Sequence, residues 1–201
     1  MRSSIPDTAR LLIAIAGVPA SGKTTFATRL VQHVNAILAQ APGQSDPRAI
    51  LIGLDGWHLT RTQLDAMDDP KLAHDRRGIH WTFDAPAYVD VVARLRYPIT
   101  HDPTGVIYAP SFDHALKDPT PDAVVIKPTH RIVIIEGLYT MLDVHPWRDA
   151  AAQMDERWWV EIDPGRAKIR LVKRHVQTGV ARDMDEAVWR AENNDEDSEC
   201  I

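Results

Sequence analysis

An apolar run, Leu11–Ala16, leads straight into Gly17-Val18-Pro19-Ala20-Ser21-Gly22-Lys23-Thr24 and then into Thr25-Phe26-Ala27-Thr28-Arg29-Leu30, whose spacing reads as a helix. No other stretch constrains the fold so strongly. The pattern G-x-x-x-x-G-K-[ST], with a strand before it and a helix after it, makes a loop whose N–H groups point inward as a nest for anions. The helix that starts near Lys23 aims the positive end of its dipole at the same place. Lys23 can reach the outer phosphates of a nucleotide, and the Thr24 hydroxyl can ligate Mg²⁺. Gly17, Val18, Pro19, Ala20, Ser21, Gly22, Lys23, Thr24 and Thr25 are therefore the candidate phosphate-binding residues. So many constrained positions in the required context argue against a glycine turn that merely caps a helix.

Downstream, apolar strands and amphipathic helices alternate. Phe26, Leu30, Val34 and Ile37 or Leu38 recur at helical spacing, which predicts a helix to about residue 39, ended by Pro42-Gly43. Residues 49–54 form a second apolar strand that stops at Asp55-Gly56-Trp57-His58. Residues 61–80 are polar, with one or two short helices. Asp84-Ala85-Pro86 opens another helix with Tyr88, Val91, Val92 and Leu95 on one face. Residues 97–128 hold six prolines and read as a hairpin and loop excursion. Residues 131–137 are a third buried strand, 146–154 a short helix and 157–163 a fourth strand. Trp158 and Trp159 must then point to opposite faces, which leaves room for both to be buried. Pro164 opens a helix to about residue 178, closed by Gly179, with Ile169, Val172 and Val176 on one face. Asp183-x-x-Glu186 is a capping box for a last short helix holding Val188 and Trp189.

This alternation predicts an α/β fold with a mainly parallel sheet. Residues 1–201 read as a single domain, with 1–9 a loose arm and 192–201 a disordered acidic tail. A hydrophobic content of 44% and a charged content of 25% suit a globular core with a solvated surface. The net charge of −5 argues against nucleic acid as a partner. No apolar run is long enough to span a membrane. The run at 11–16 is too short for a secretory signal, and cleavage after it would destroy the phosphate loop. A single cysteine, Cys200, fits a reducing compartment, so the expected location is the cytoplasm. The oligomeric state stays open.

Three features point at the phosphate loop. Glu136 ends the third strand after four apolar residues, where an acidic group can orient Mg²⁺ opposite Thr24. Asp55 ends the second strand, where a carboxylate can take the proton of an attacking hydroxyl. A turn-capping role is the competing reading for Asp55, and a surface carboxylate for Glu136. Arg166, Arg170 and Arg174 form one stripe on the helix after Pro164, placed either to spread over transferring phosphoryl charge or simply to face solvent.

Together with Tyr108-Ala109-Pro110-Ser111-Phe112-Asp113 and Ile134-Ile135-Glu136-Gly137-Leu138, these motifs resemble the phosphoribulokinase/uridine kinase family, to which pantothenate kinase also belongs. Arg77-Gly78 and Thr82-Phe83-Asp84 look like its uridine-kinase-like branch. The resemblance covers about residues 10–195. It implies a P-loop three-layer sandwich and transfer of the γ-phosphate of ATP, with Mg²⁺, to a hydroxyl of a nucleoside-, pantothenate- or sugar-like metabolite. Carried over, Asp55 is the base and Lys23 binds the phosphates. Arg170 or Arg174 acts from a lid, and Thr24 with Glu136 holds the metal. Phe112 and Asp113 line the acceptor pocket, joined by Trp57, His58, Arg77 and Trp81.

Two departures stand out. Trp57-His58 replaces the residues usual in uridine kinases, and the residues after Gly179 contain no fifth strand of the kind that normally follows the lid. A nucleotide-binding relative without phosphotransfer is the alternative that this second departure supports. A GTPase switch is weak, because neither Asn-Lys-x-Asp nor a strand-ending Asp-x-x-Gly occurs.

Overall fold

The computed structural model describes residues 6–40, 46–99, 105–113 and 116–195. Four strands make one parallel sheet in the order β2-β5-β1-β6: β1 (Leu11–Ala16), β2 (Ala49–Gly53), β5 (Ile132–Glu136) and β6 (Glu156–Trp159). β3 (Ile107–Asp113) and β4 (Asp118–Ile126) form a separate antiparallel hairpin, with a register shift between Ala109 and Ser111. The helices are α1 (Lys23–Leu38), α2 (Arg61–Asp65), α3 (Pro70–Asp75), α4 (Ala85–Leu95), α5 (Trp147–Ala151), α6 (Pro164–Gln177) and α7 (Met184–Asp195).

The sheet's two faces explain its apolar strands. Leu12, Ala14, Val133 and Ile135 join the larger core with Tyr88, Val92 and Leu95 of α4. Ile13, Ile15 and Ile134 turn the other way, onto Ala27 and Leu30 of α1. A parallel strand covered on both sides must be apolar at every position, and these are.

Start signals in the sequence act as expected. Asp84 and Asp163 cap α4 and α6 by accepting from the Ala87 and Arg166 N–H groups, at 3.0 and 2.9 Å. Thr60 and Gln63 close a reciprocal capping box at α2. The proposed end of α1 at Pro42-Gly43 lies outside the described residues, although the helix does finish by Leu38.

Several expectations need correction. The fourth strand is shorter than 157–163, covering Glu156–Trp159, and only Trp158 tucks in beside Phe26, with ring centroids 6.2 Å apart. Trp159 is exposed because β6 is an edge strand among the described residues. Ile169 also faces solvent, 71% exposed, since α6 packs only through Ala167, Leu171, Val172 and Val176. The Asp183 cap forms, accepting from the Glu186 N–H at 2.8 Å, but the Glu186 carboxylate takes the Arg182 N–H instead of completing the box.

Part of the proposed tail is ordered helix, since α7 runs to Asp195 and Glu192 accepts from the Lys168 ammonium at 2.7 Å. The rest of 192–201 lies outside the described residues. Within the proposed arm, residues 6–9 are tied down: Arg131 donates to the Pro6 and Ala9 carbonyls and Ile99 N–H to that of Thr8.

Candidate active site

Strand register assembles the site. Glu136 pairs with Ile15 of β1 on one side and with Gly53 of β2 on the other. The phosphate loop leaves β1 just beyond Ile15, and Asp55 follows Gly53 by two residues. Adjacent strands lie about 4.8 Å apart, so the loop and Asp55 emerge at one level on either side of Glu136. This is the carboxyl-end crevice where open α/β sheets hold ligands.

The Thr24 hydroxyl donates to Glu136 Oε1 at 3.1 Å. Glu136 is only 8% exposed, and its Oε2 has no hydrogen-bond partner among the described residues. Burial pushes the Glu136 carboxyl above its ordinary range. The Lys23 ammonium and the Thr24 bond pull it back down, while the Asp55 carboxylate pushes it further up. All four groups therefore act on one small region. An orphaned carboxylate oxygen opposite a hydroxyl is a donor set for a hard cation, and Mg²⁺ characteristically takes few protein ligands beside water and phosphate. The residues present fit that ion. Among the described residues no group of three or more His, Cys, Asp or Glu side chains is placed to hold a metal ion, so an all-protein cage is not on offer there.

Beside this pair, Ala20, Gly22, Lys23, Thr24 and Thr25 line an open cavity of about 230 Å³ together with Arg170 and Arg174. Gly22 holds φ +97°, a left-handed value that costs a side chain dearly and glycine nothing, and it lets the chain turn into α1. α1 starts without a side-chain cap, unlike α2, α3, α4 and α6, and its first turn carries no acid. Its first N–H groups and dipole thus face the cavity uncompensated. Arg166 does not line this cavity, so the arginine stripe divides by position along α6.

The acceptor-side residues separate more sharply. Asp55 is exposed at the start of a 3₁₀ turn, Leu54–Trp57. That turn sits under the hairpin because Gly56 lacks a side chain: a Cβ there would overlap the Pro110 carbonyl. His58 Nδ1 lies 2.8 Å from the Asp55 carbonyl oxygen. A carbonyl only accepts, so Nδ1 carries the proton. The His58 ring packs on Phe83 and Phe112, at 4.0 and 4.9 Å. The structure thus joins His58 and Phe112 beside Asp55.

Three other expectations change. Trp57 is 3% exposed and packs edge-on against Tyr88 at 5.2 Å, so it is a core residue. Arg77 is committed to structure: it donates to the Lys117 and Leu59 carbonyls at 2.6 and 2.9 Å and to the Asp118 carboxylate at 3.1 Å, under the Phe112 ring. The Asp113 carboxylate accepts from the Leu116 N–H, which places it in the hairpin turn. Trp81 stands exposed in a 3₁₀ turn, His80–Thr82. A groove of about 370 Å³ also runs between α4 and the hairpin, past Asp90, Arg94, Tyr108 and Pro119. It shares Trp57 and His58 with the acceptor set but touches no phosphate-loop residue.

Sequence reasoning missed Asp118, which accepts from the Arg61 N–H and Nε at 2.9 and 3.1 Å as well as from Arg77. Nothing around it in a proline-rich stretch signals that role. It also missed Tyr139 and Trp147, whose rings carry Phe83 from below at 5.6 and 5.8 Å.

Comparison with known proteins decides the family. The model of the phosphoribulokinase/uridine kinase family matches residues 12–177. The chain belongs to that family. It is 50% identical, over 71% of its length and 82% of the relative's, to the ATP-dependent kinase-like protein notR′ of Aspergillus versicolor. It is 30% identical over 94% of its length, and 60% of the relative's, to the ATP-dependent kinase YFH7 of Lachancea thermotolerans. The crystal structure of YFH7 from Saccharomyces cerevisiae, 24% identical, superposes with a TM-score of 0.78 over 92% of this chain and 86% of that one. This establishes a P-loop kinase fold. No helix among the described residues is long and apolar enough to cross a membrane.

Proposed function

We propose that this family member is an ATP-dependent kinase that transfers the γ-phosphate to a hydroxyl of a nucleoside-, pantothenate- or sugar-like metabolite in the cytoplasm. One observation carries the reading: Glu136 bonds Thr24 while feeling both the Lys23 and Asp55 charges. Phosphate anchor, cation ligand and candidate base thereby share one crevice.

Lys23 and the uncapped N–H groups of α1 bind the β- and γ-phosphates. Thr24 and Glu136 would hold Mg²⁺, which when bound would neutralise charge on the phosphate oxygens. Arg170 and Arg174 supply further positive charge from the lining of the cavity. Asp55 receives the acceptor's hydroxyl proton as that oxygen bonds to the γ-phosphorus, and the bond from phosphorus to ADP's bridging oxygen breaks. His58, held by the Asp55 carbonyl and flanked by Phe112, fixes the wall against which the acceptor lies.

ATP consumption measured with a panel of nucleosides, pantothenate and sugars tests this. Turnover with one class, abolished in Asp55→Ala, supports the kinase. ATP binding with no acceptor phosphorylated, and no effect of Asp55→Ala, favours a nucleotide-binding protein without transfer.

A further inference from the structure

Lys117 and Asp118, where the chain enters β4, are held more firmly than an exposed position requires. Lys117 adopts φ +56°, a left-handed conformation that is strained for a non-glycine residue and persists only where the surroundings impose it. The surroundings are present. The Lys117 N–H donates to the Asp113 carbonyl at 2.7 Å, and its carbonyl accepts from Arg77 at 2.6 Å. The next residue, Asp118, is clamped between Arg61 and Arg77. The backbone at Lys117 is fixed on both sides, so its side chain projects from a rigid base.

That side chain crosses to the helical pair α6–α7. Lys117 Nζ donates to the Gly179 carbonyl at 3.3 Å, in the turn after α6, where the negative end of the helix dipole favours an ammonium group. The turn's own bonds use the His175 and Val176 carbonyls, which leaves Gly179's for Lys117. The helical pair also packs on the phosphate loop. Leu171, Val172, Ala181, Ala187 and Ala191 form its small core, against which Ala20 of the phosphate loop packs. Arg170 and Arg174 of the same α6 line the phosphate cavity.

We infer that Lys117 is a positioning residue that couples the acceptor-side hairpin to the α6–α7 lid, so that nucleotide at the phosphate loop sets the hairpin for the acceptor. The path is continuous: phosphate loop, α6 arginines, Gly179 carbonyl, Lys117 ammonium, hairpin. It rests on the proposed reading that nucleotide occupies the phosphate loop. An exposed charge–dipole contact supplies only a modest coupling, in the lower part of the usual 5–150-fold range.

Backbone hydrogen exchange on the full chain, with and without AMP-PNP and Mg²⁺, tests it. In the wild type, nucleotide slows exchange in the phosphate loop and, roughly five- to tenfold, in 107–113 and 118–126. Lys117→Met keeps the first response and loses the second, and Lys117→Arg restores it. If the phosphate loop itself does not respond, the nucleotide reading fails and the coupling with it. If the loop responds but the hairpin does not, or the hairpin responds equally in Lys117→Met, the coupling alone is overturned.

Discussion

The donor and acceptor halves of the crevice are built differently. The proposed donor half is nearly one continuous stretch: residues 17–25 form the phosphate loop and open α1. The acceptor half gathers Asp55, His58, Arg77, Phe112 and Asp118 from separate segments, held by ring packing and guanidinium bonds. A local device survives a change in distant packing, whereas an assembled one depends on every tie. The difference teaches that substitutions on the donor side should cost chemistry, and those on the acceptor side should cost folding as well.

The sharpest test of that contrast is Asp55→Asn. It removes the proton acceptor from an exposed position, so turnover in an ADP-release assay should fall by about 10²–10⁴ while thermal stability holds. A comparable loss of stability would break the comparison. Trp57→Ala should do the reverse. Deleting a buried tryptophan costs about 3–5 kcal/mol, visible as a lowered urea midpoint, with nucleotide affinity retained by the folded fraction. Arg77→Ala comes next. It releases bonds to a carboxylate and two carbonyls, and a loss of about 2 kcal/mol is expected in the same urea titration.

Glu136→Gln joins both halves of the contrast. Because burial raises the folded-state pKa of Glu136, the folded protein holds its proton in a window where the unfolded chain has released it. Ionised Glu136 therefore costs stability that is absent below the ordinary carboxylate value and grows as pH rises through the folded one. The variant should match the wild type near pH 4 and gain thermal stability at neutral pH without Mg²⁺. Activity with Mg²⁺ and ATP should fall. A stability difference that shrinks with rising pH would contradict the burial argument. The smallest effect is expected at Trp159, exposed on the edge strand, where alanine should shift stability by under about 0.5 kcal/mol.

Legibility in the sequence followed the same division. The strands β1, β2 and β5, the helices α1, α4 and α6, and the hairpin were all readable, because doubly covered strands, helical spacing and caps are local signals. Thr24 and Glu136 were readable as partners since one ends a motif and the other ends an apolar run. Trp57 neighbours Asp55 in sequence, but its ring packs on Tyr88 of α4, a burial that no local pattern signals. Arg77 and Phe112 were seen, but Asp118, the anion that occupies Arg77, was not. Ion pairing across 41 residues leaves no periodic trace.

By itself, the sequence determined a phosphate-loop motif on an α/β scaffold, because the loop's glycines, its lysine and its threonine lie within one short stretch and need no distant partner. Only the tertiary structure decided the strand order β2-β5-β1-β6, which sets Glu136 between Asp55 and the loop. Only it brought Arg170 and Arg174 to the phosphate cavity and Lys117 to the turn after α6 from far along the chain. The physical reason is that backbone nests and caps are encoded within a few residues, whereas register and ion pairing across the sheet are chosen by the packing of the whole core.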